Sequence, residues 1–178
     1  MVLESPLRDE VPRRDEVLRA VIAAADQRLD GVLPMDVAGA QQVFREPANL
    51  VGVLHVRWSA TLGAQVDRAL AELPDDPERA VVRGWRRTAR ELPGVRMVLD
   101  GWRLAATGPD LARLERREAR QRQWLAVRAG VAEPRRALDE AAVTAGAALE
   151  AAGRRYFEPH ARPPRRTLVQ LIRSALVA

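Results

Sequence analysis

The stretch Pro77–Val131 constrains this chain most, because helical periodicity there is cut to length by proline and glycine. Asp75-Asp76 followed by Pro77 is a helix entry. An acidic cap precedes a proline at the first helical position, where the missing N–H is not needed and φ is already set. Val81, Val82, Trp85, Ala89 and Leu92 recur at helical spacing, so one face is apolar. Arg79, Arg83, Arg86, Arg87 and Arg90 fall on the opposite face as a stripe. Pro93-Gly94 ends this helix, a second follows over Val95–Ala106, and Thr107-Gly108-Pro109 breaks it. A third, strongly charged helix runs from Asp110 to about Arg128.

The rest of the chain reads the same way. Residues 1–12 form a polar arm with Pro6 and Pro12. A first helix spans about Arg13–Leu29, with Val17, Leu18, Val21, Ile22, Ala25 and Leu29 on its apolar face and Asp30-Gly31 after it. Asp36–Phe44 supports one or two short helical turns. A long helix starts near Asn49, a cap by residue type, and carries Leu50, Leu54, Trp58, Leu62, Val66, Leu70 and Leu73 in one row until Pro74. Within the charged helix, Glu115–Gln123 (ERREARQRQ) has Ala119 as its single apolar residue. This predicts a solvent-bridging segment held by i,i+4 pairs such as Glu118 with Arg122. Pro134 is expected to open a further helix to Gly153, so rich in alanine and glycine that another helix can approach it closely. Tyr156–Pro164 is a connector, and Arg165–Ala178 a final amphipathic helix. No run of alternating β-branched residues is long enough for a strand, so the fold class is all-α.

Composition narrows the function classes. The chain has no cysteine, which removes disulfides and thiolate chemistry. No apolar run is long enough to span a membrane, and residues 1–14 hold no hydrophobic signal core, so the cytoplasm is the expected location. All 29 basic residues are arginine. Residues 1–78 carry 8 Arg against 14 Asp+Glu, net −6; residues 79–178 carry 21 Arg against 10, net +11. Together they make the overall +5. The basic part suits a polyanion or an acidic protein surface equally well.

The order of elements is similar to a known family. ELPDDPERA, ARELPGVRMVL and TGPDLARLERREARQRQWLAVRAGVAE, followed by RALDEAAVTAGAALEAAGRRYFEP and RRTLVQLIRSAL, resemble the C-terminal body of TetR-family transcriptional regulators. RRDEVLRAVIAAADQRLDG and MDVAGA resemble the start of that family's DNA-binding head. The resemblance implies a homodimer whose helical body, residues 49–178, binds a small effector and dimerises through its last two helices. It also implies a helix-turn-helix head at residues 1–48. That head is abbreviated: Gly31–Phe44 is short by roughly eight or nine residues for two helices and a turn, and most of the recognition helix is missing. Residues 1–50 are also acidic, with 6 Arg against 9 Asp+Glu, which works against DNA binding.

Candidate sites follow. On the TetR-like reading, Arg13, Arg14 and Arg45 would meet DNA. Leu54, His55 and Trp58, with Trp85, Trp102 and Trp124 from three other helices, form either an effector-pocket wall or the anchors of a helical core. Val143, Ala147, Leu149, Leu168, Leu171, Ile172 and Ala175 form either a dimer seam or an intramolecular packing face. The stripe Arg79, Arg83, Arg86, Arg87 and Arg90 is a solvated face or, in an alternative reading as an assembly subunit, a polyanion-binding surface. His55 and His160 are too few and too far apart for a zinc site, and no cofactor is expected. No nucleophile–base pair, phosphate loop or paired carboxylates stand out, so a non-enzymatic role is expected.

Overall fold

The computed structural model describes residues 13–155, 157 and 159, and among these it holds α-helices and no strand. The elements are α1 (Arg14–Arg28), α2 (Ala40–Phe44), α3 (Pro47–Glu72), α4 (Pro77–Glu91), α5 (Pro93–Ala105), α6 (Gly108–Arg128) and α7 (Glu140–Arg154). No helix among the described residues is long and apolar enough to cross a membrane.

Proline and aspartate place the helix starts. Pro47, Pro77 and Pro93 each stand in the first turn of a helix. Asp76 accepts a hydrogen bond from the Arg79 N–H at 3.0 Å, so the Asp-Asp-Pro segment is a cap. Asn49 is not the cap of α3. The helix has already begun at Pro47, and the Asn49 side chain donates back to the Phe44 carbonyl. The last helix also differs from expectation: α7 starts at Glu140 rather than Pro134, because Asp139 caps it through the Ala142 N–H at 3.0 Å.

At 26 residues, about 39 Å, α3 is the axis of the fold. It packs along α4 and crosses α5; α1 lies on α5; α7 lies on both α6 and α4. One core runs from Val17 of α1 to Leu149 of α7, so α1 and α2 share the apolar interior of the later helices. Trp58 and Trp85 are wholly buried at its centre, edge to face with centroids 5.8 Å apart. The small residues of α7 serve packing within the chain: a Cβ on Gly146 would collide with the Arg122 carbonyl of α6, and Gly153 lies against the Trp85 ring.

Charge is also buried, in a chain of ion pairs that ties α5, α6 and α7 together. Arg96 is 3% exposed and donates to Asp100 at 2.8 Å. Arg154 grips the same carboxylate with two bonds of 2.9 Å and donates to Glu150 at 2.9 Å. Glu150 also accepts from Arg122 at 3.0 Å, and Glu118 pairs with Arg103 and, at 3.8 Å, with Arg122. The Arg96 and Arg154 guanidiniums lie 4.9 Å and 5.4 Å from the ring centroids of Trp58 and Trp85. Burial alone would raise the Asp100 carboxyl, but the Arg154 bonds and the Arg96 charge outweigh it and hold it below its ordinary value. For Glu118 burial wins over Arg103 and Arg122, and its carboxyl is raised.

The charged segment of α6 is therefore not a solvent bridge. Glu118, Gln121 and Gln123 are buried. Gln123 donates to the carbonyls of Arg135 and Ala137 and accepts from the Asp139 N–H, each at 3.0 Å. One side chain thus holds the connector and presents the cap of α7.

Candidate functional site

Among the described residues a concavity lies between α3 and α6. Small residues on α3, Ser59, Ala60 and Gly63, leave space opposite the Trp124 ring of α6 and open a groove of about 630 Å³. That volume falls within the usual range for small-molecule sites. Leu62, Val56, Ala60 and Trp124 make the walls chiefly hydrocarbon, and among the described residues no carboxylate lines them. Arg117 and Arg120 stand at the α6 side, both exposed. A second recess, of about 360 Å³, adjoins through the shared residues Val56 and Arg117 and is more polar, with Glu46, Asn49, Asp110 and Arg113 around it.

Three polar groups form a relay along the groove. Ser59 Oγ lies 3.2 Å from His55 Nδ1 and donates to Gln121 Oε1 at 3.4 Å. A hydroxyl has one hydrogen, so if Gln121 receives it, His55 Nδ1 must carry the proton donated to Ser59. The ring is then neutral with Nε2 as its bare nitrogen. Burial, reinforced by the charges of Arg117 and Arg96, pushes the His55 pKa down to about 4, which keeps the ring neutral at pH 7.

The expected pocket residues separate. His55 and Trp124 line the groove. Trp102 borders the adjoining recess. Leu54, Trp58 and Trp85 are fully buried in the core, so the four tryptophans do not form one wall. A Trp at the crossing of two long helices fills the interior, while one facing small residues on its neighbour is left beside a gap. Sequence reasoning missed Ser59, Gly63, Arg117 and Gln121. The available signal was Ser59-Ala60 followed by Gly63, small residues near i and i+4 on α3 beside the apolar row.

The other candidates are placed as follows. Arg14 lies against the Phe44 ring at 5.3 Å, which brings it near Arg45 at the α2–α3 junction; Arg13 is exposed. In the stripe, Arg83 and Arg87 pair with Glu72, Arg87 through bonds of 2.9 and 2.8 Å, and Arg86 donates to the Ala152 carbonyl at 2.9 Å. Arg79 and Arg90 are exposed. Leu149 of the proposed seam is buried within the chain, and Val143 and Ala147 are half-buried. Leu168, Leu171, Ile172 and Ala175 lie outside the described residues. Among the described residues no group of three or more His, Cys, Asp or Glu side chains is placed to hold a metal ion. No protein-family model, no curated protein and no solved structure matches this chain.

Proposed function

We propose that this is a non-enzymatic ligand-binding protein, a DNA-binding-deficient relative of TetR-like regulators, whose α3–α6 groove takes a small, mostly apolar molecule. The observation that carries the reading is the groove: hydrocarbon walls, a short polar relay, and about 630 Å³ of space. Operator reading is left out of the proposal. Residues 29–39 contain no α-helix and α2 has five residues, which is too short to serve as a recognition helix in a major groove.

α6 gives the ligand a way to act at a distance. Arg117, Gln121 and Trp124 face the groove, while Glu118 and Arg122, one position further on, are ion-paired to α5 and α7. A ligand that favours one setting of α6 against α3 would favour one setting of α7. Dimerisation through the outer face of α7 and the 165–178 segment belongs to the same proposal. Replacing Leu171 and Ile172 with aspartate should then yield monomers by sedimentation, and an unchanged dimer mass would remove that seam.

The groove is tested with N-phenyl-1-naphthylamine, a neutral apolar fluorophore. One probe should bind per chain, and Gly63→Phe, which fills open space, should abolish binding while the helical circular-dichroism spectrum is kept. Equal binding by wild type and Gly63→Phe would refute the site.

A further inference from the structure

Resting on the groove reading, we infer that the natural ligand is a monocarboxylate with an apolar body, its acid group held by Arg117 and Arg120 and its hydrocarbon lying along Leu62, Gly63 and Trp124. The first argument is charge accounting. Several arginines of α5 and α6 are already paired: Arg113 with Asp110, Arg122 with Glu150, Arg103 with Glu118. Arg117 and Arg120 have no carboxylate partner among the described residues. Both line a trough that has no Asp or Glu among its described lining residues, and Arg117 also borders the smaller recess that holds Glu46 and Asp110.

The second argument is what the rest of the site offers. His55 is tied to Ser59, and Ser59 to Gln121, so the inner polar groups are neutral. They can hydrogen-bond a ligand oxygen but supply no counter-charge for a cation. A cationic amphiphile would meet two unneutralised guanidiniums and no acid. A neutral one would leave them solvated and gain nothing from them. An anion alone would find the arginines but leave the apolar walls wet. A carboxylate with a hydrocarbon body satisfies both halves, and a planar guanidinium suits its two oxygens.

The Gly52–Arg117 contact fixes where the acid sits. A Cβ on Gly52 would lie 3.1 Å from the nearest Arg117 guanidinium nitrogen, so the Arg117 head lies against α3 at Gly52, on the side of the groove next to the smaller recess. The acid group would therefore sit at the end of the groove next to the smaller recess, with the hydrocarbon running toward Gly63 and Trp124.

Competition against the naphthylamine probe decides this. Decanoate should displace it at a concentration about five- to tenfold lower than 1-decanol, the gain expected from two exposed charge pairs. Decylamine in its ammonium form should be weaker than decanol, and citrate should not displace the probe at all. In Arg117→Gln/Arg120→Gln the preference for decanoate over decanol, each measured against that variant's own probe affinity, should vanish. The inference is overturned if decanol equals decanoate in the wild type, or if the preference survives the double substitution, although the groove would still stand. If the probe fails to bind the wild type, or binds Gly63→Phe equally, the groove reading fails and takes the inference with it.

Discussion

Replacing Gly84 with alanine puts a methyl group where α4 meets α3. The added Cβ would lie 2.7 Å from both the Cα and the Cγ2 of Val66, against the 3.4 Å at which ordinary contact begins. Val66 Cγ2 can turn away, but its Cα is backbone, so α3 and α4 would have to part by about 0.7 Å along a major helix pair of the fold. Overpacking of this kind costs about 1–3 kcal/mol. Alanine regains about 1 kcal/mol of helix propensity, leaving a net loss of up to about 2 kcal/mol, or a Tm lower by up to about 8 °C for a chain of this size. Gly63 provides the internal control. It too is in a helix interior, but a Cβ there meets nothing within 4 Å. Gly63→Ala should gain about 0.5–1 kcal/mol. Both variants are followed by urea unfolding with tryptophan fluorescence. Shifts of the midpoint in the same direction would refute the packing argument, because propensity alone would then account for both.

Four further outcomes follow from the ion-pair chain and the polar relay. The His55 pKa is depressed, so between about pH 6.5 and 4 the unfolded chain binds a proton that the folded chain does not; stability should fall through that window by up to about 3 kcal/mol. His55→Gln should flatten that part of a stability–pH profile, and an unchanged slope would show the ring is not the source; the raised Glu118 acts with the opposite sign and cannot mimic it. Asp100→Asn leaves Arg96 and Arg154 without their shared counter-charge and should cost about 3 kcal/mol in the urea midpoint; a loss below about 1 would mean the pair was not buried in effect. Gln123→Ala should speed amide exchange over residues 131–140 while α3 and α4 stay protected, and uniform protection would contradict its role in holding the connector. Asp139→Ala should cost about 1 kcal/mol as a lost cap, whereas Glu140→Ala, which caps nothing, should cost less.

The helices were legible because their signals are local. Proline at the first turn and an aspartate before it identify α4 from the chain alone, and the apolar rows of α1, α3 and α4 fall on buried or partly buried residues. The α7 start is not legible in the same way: Pro134 and Asp139 are both residue types that open helices, and the choice depends on Gln123, 16 residues before that aspartate. Charge was the harder part. Glu118 and Arg122 read as surface residues because their neighbours in sequence are charged. They are interior because α5 and α7 supply the partners Arg103 and Glu150. Glycine carried a second meaning that sequence does not separate: Gly94 reads as a helix stop, yet it opens α5 and has no Cβ where α5 meets the Ala25 backbone of α1. The groove was hidden for a similar reason. A gap is created by what small residues on α3 leave unfilled opposite Trp124, and periodicity records only what is present.

The groove itself is tested most directly by nuclear magnetic resonance, with decanoate titrated into ¹⁵N-labelled protein. Four tryptophan indole N–H signals report four distinct places in one spectrum. The account predicts saturable shifts of the Trp124 indole and of the backbone amides of Ser59, Gly63 and Gln121, with the buried Trp58 and Trp85 indoles nearly still. Shifts confined to other surfaces, or none at concentrations where the probe is displaced, would contradict it.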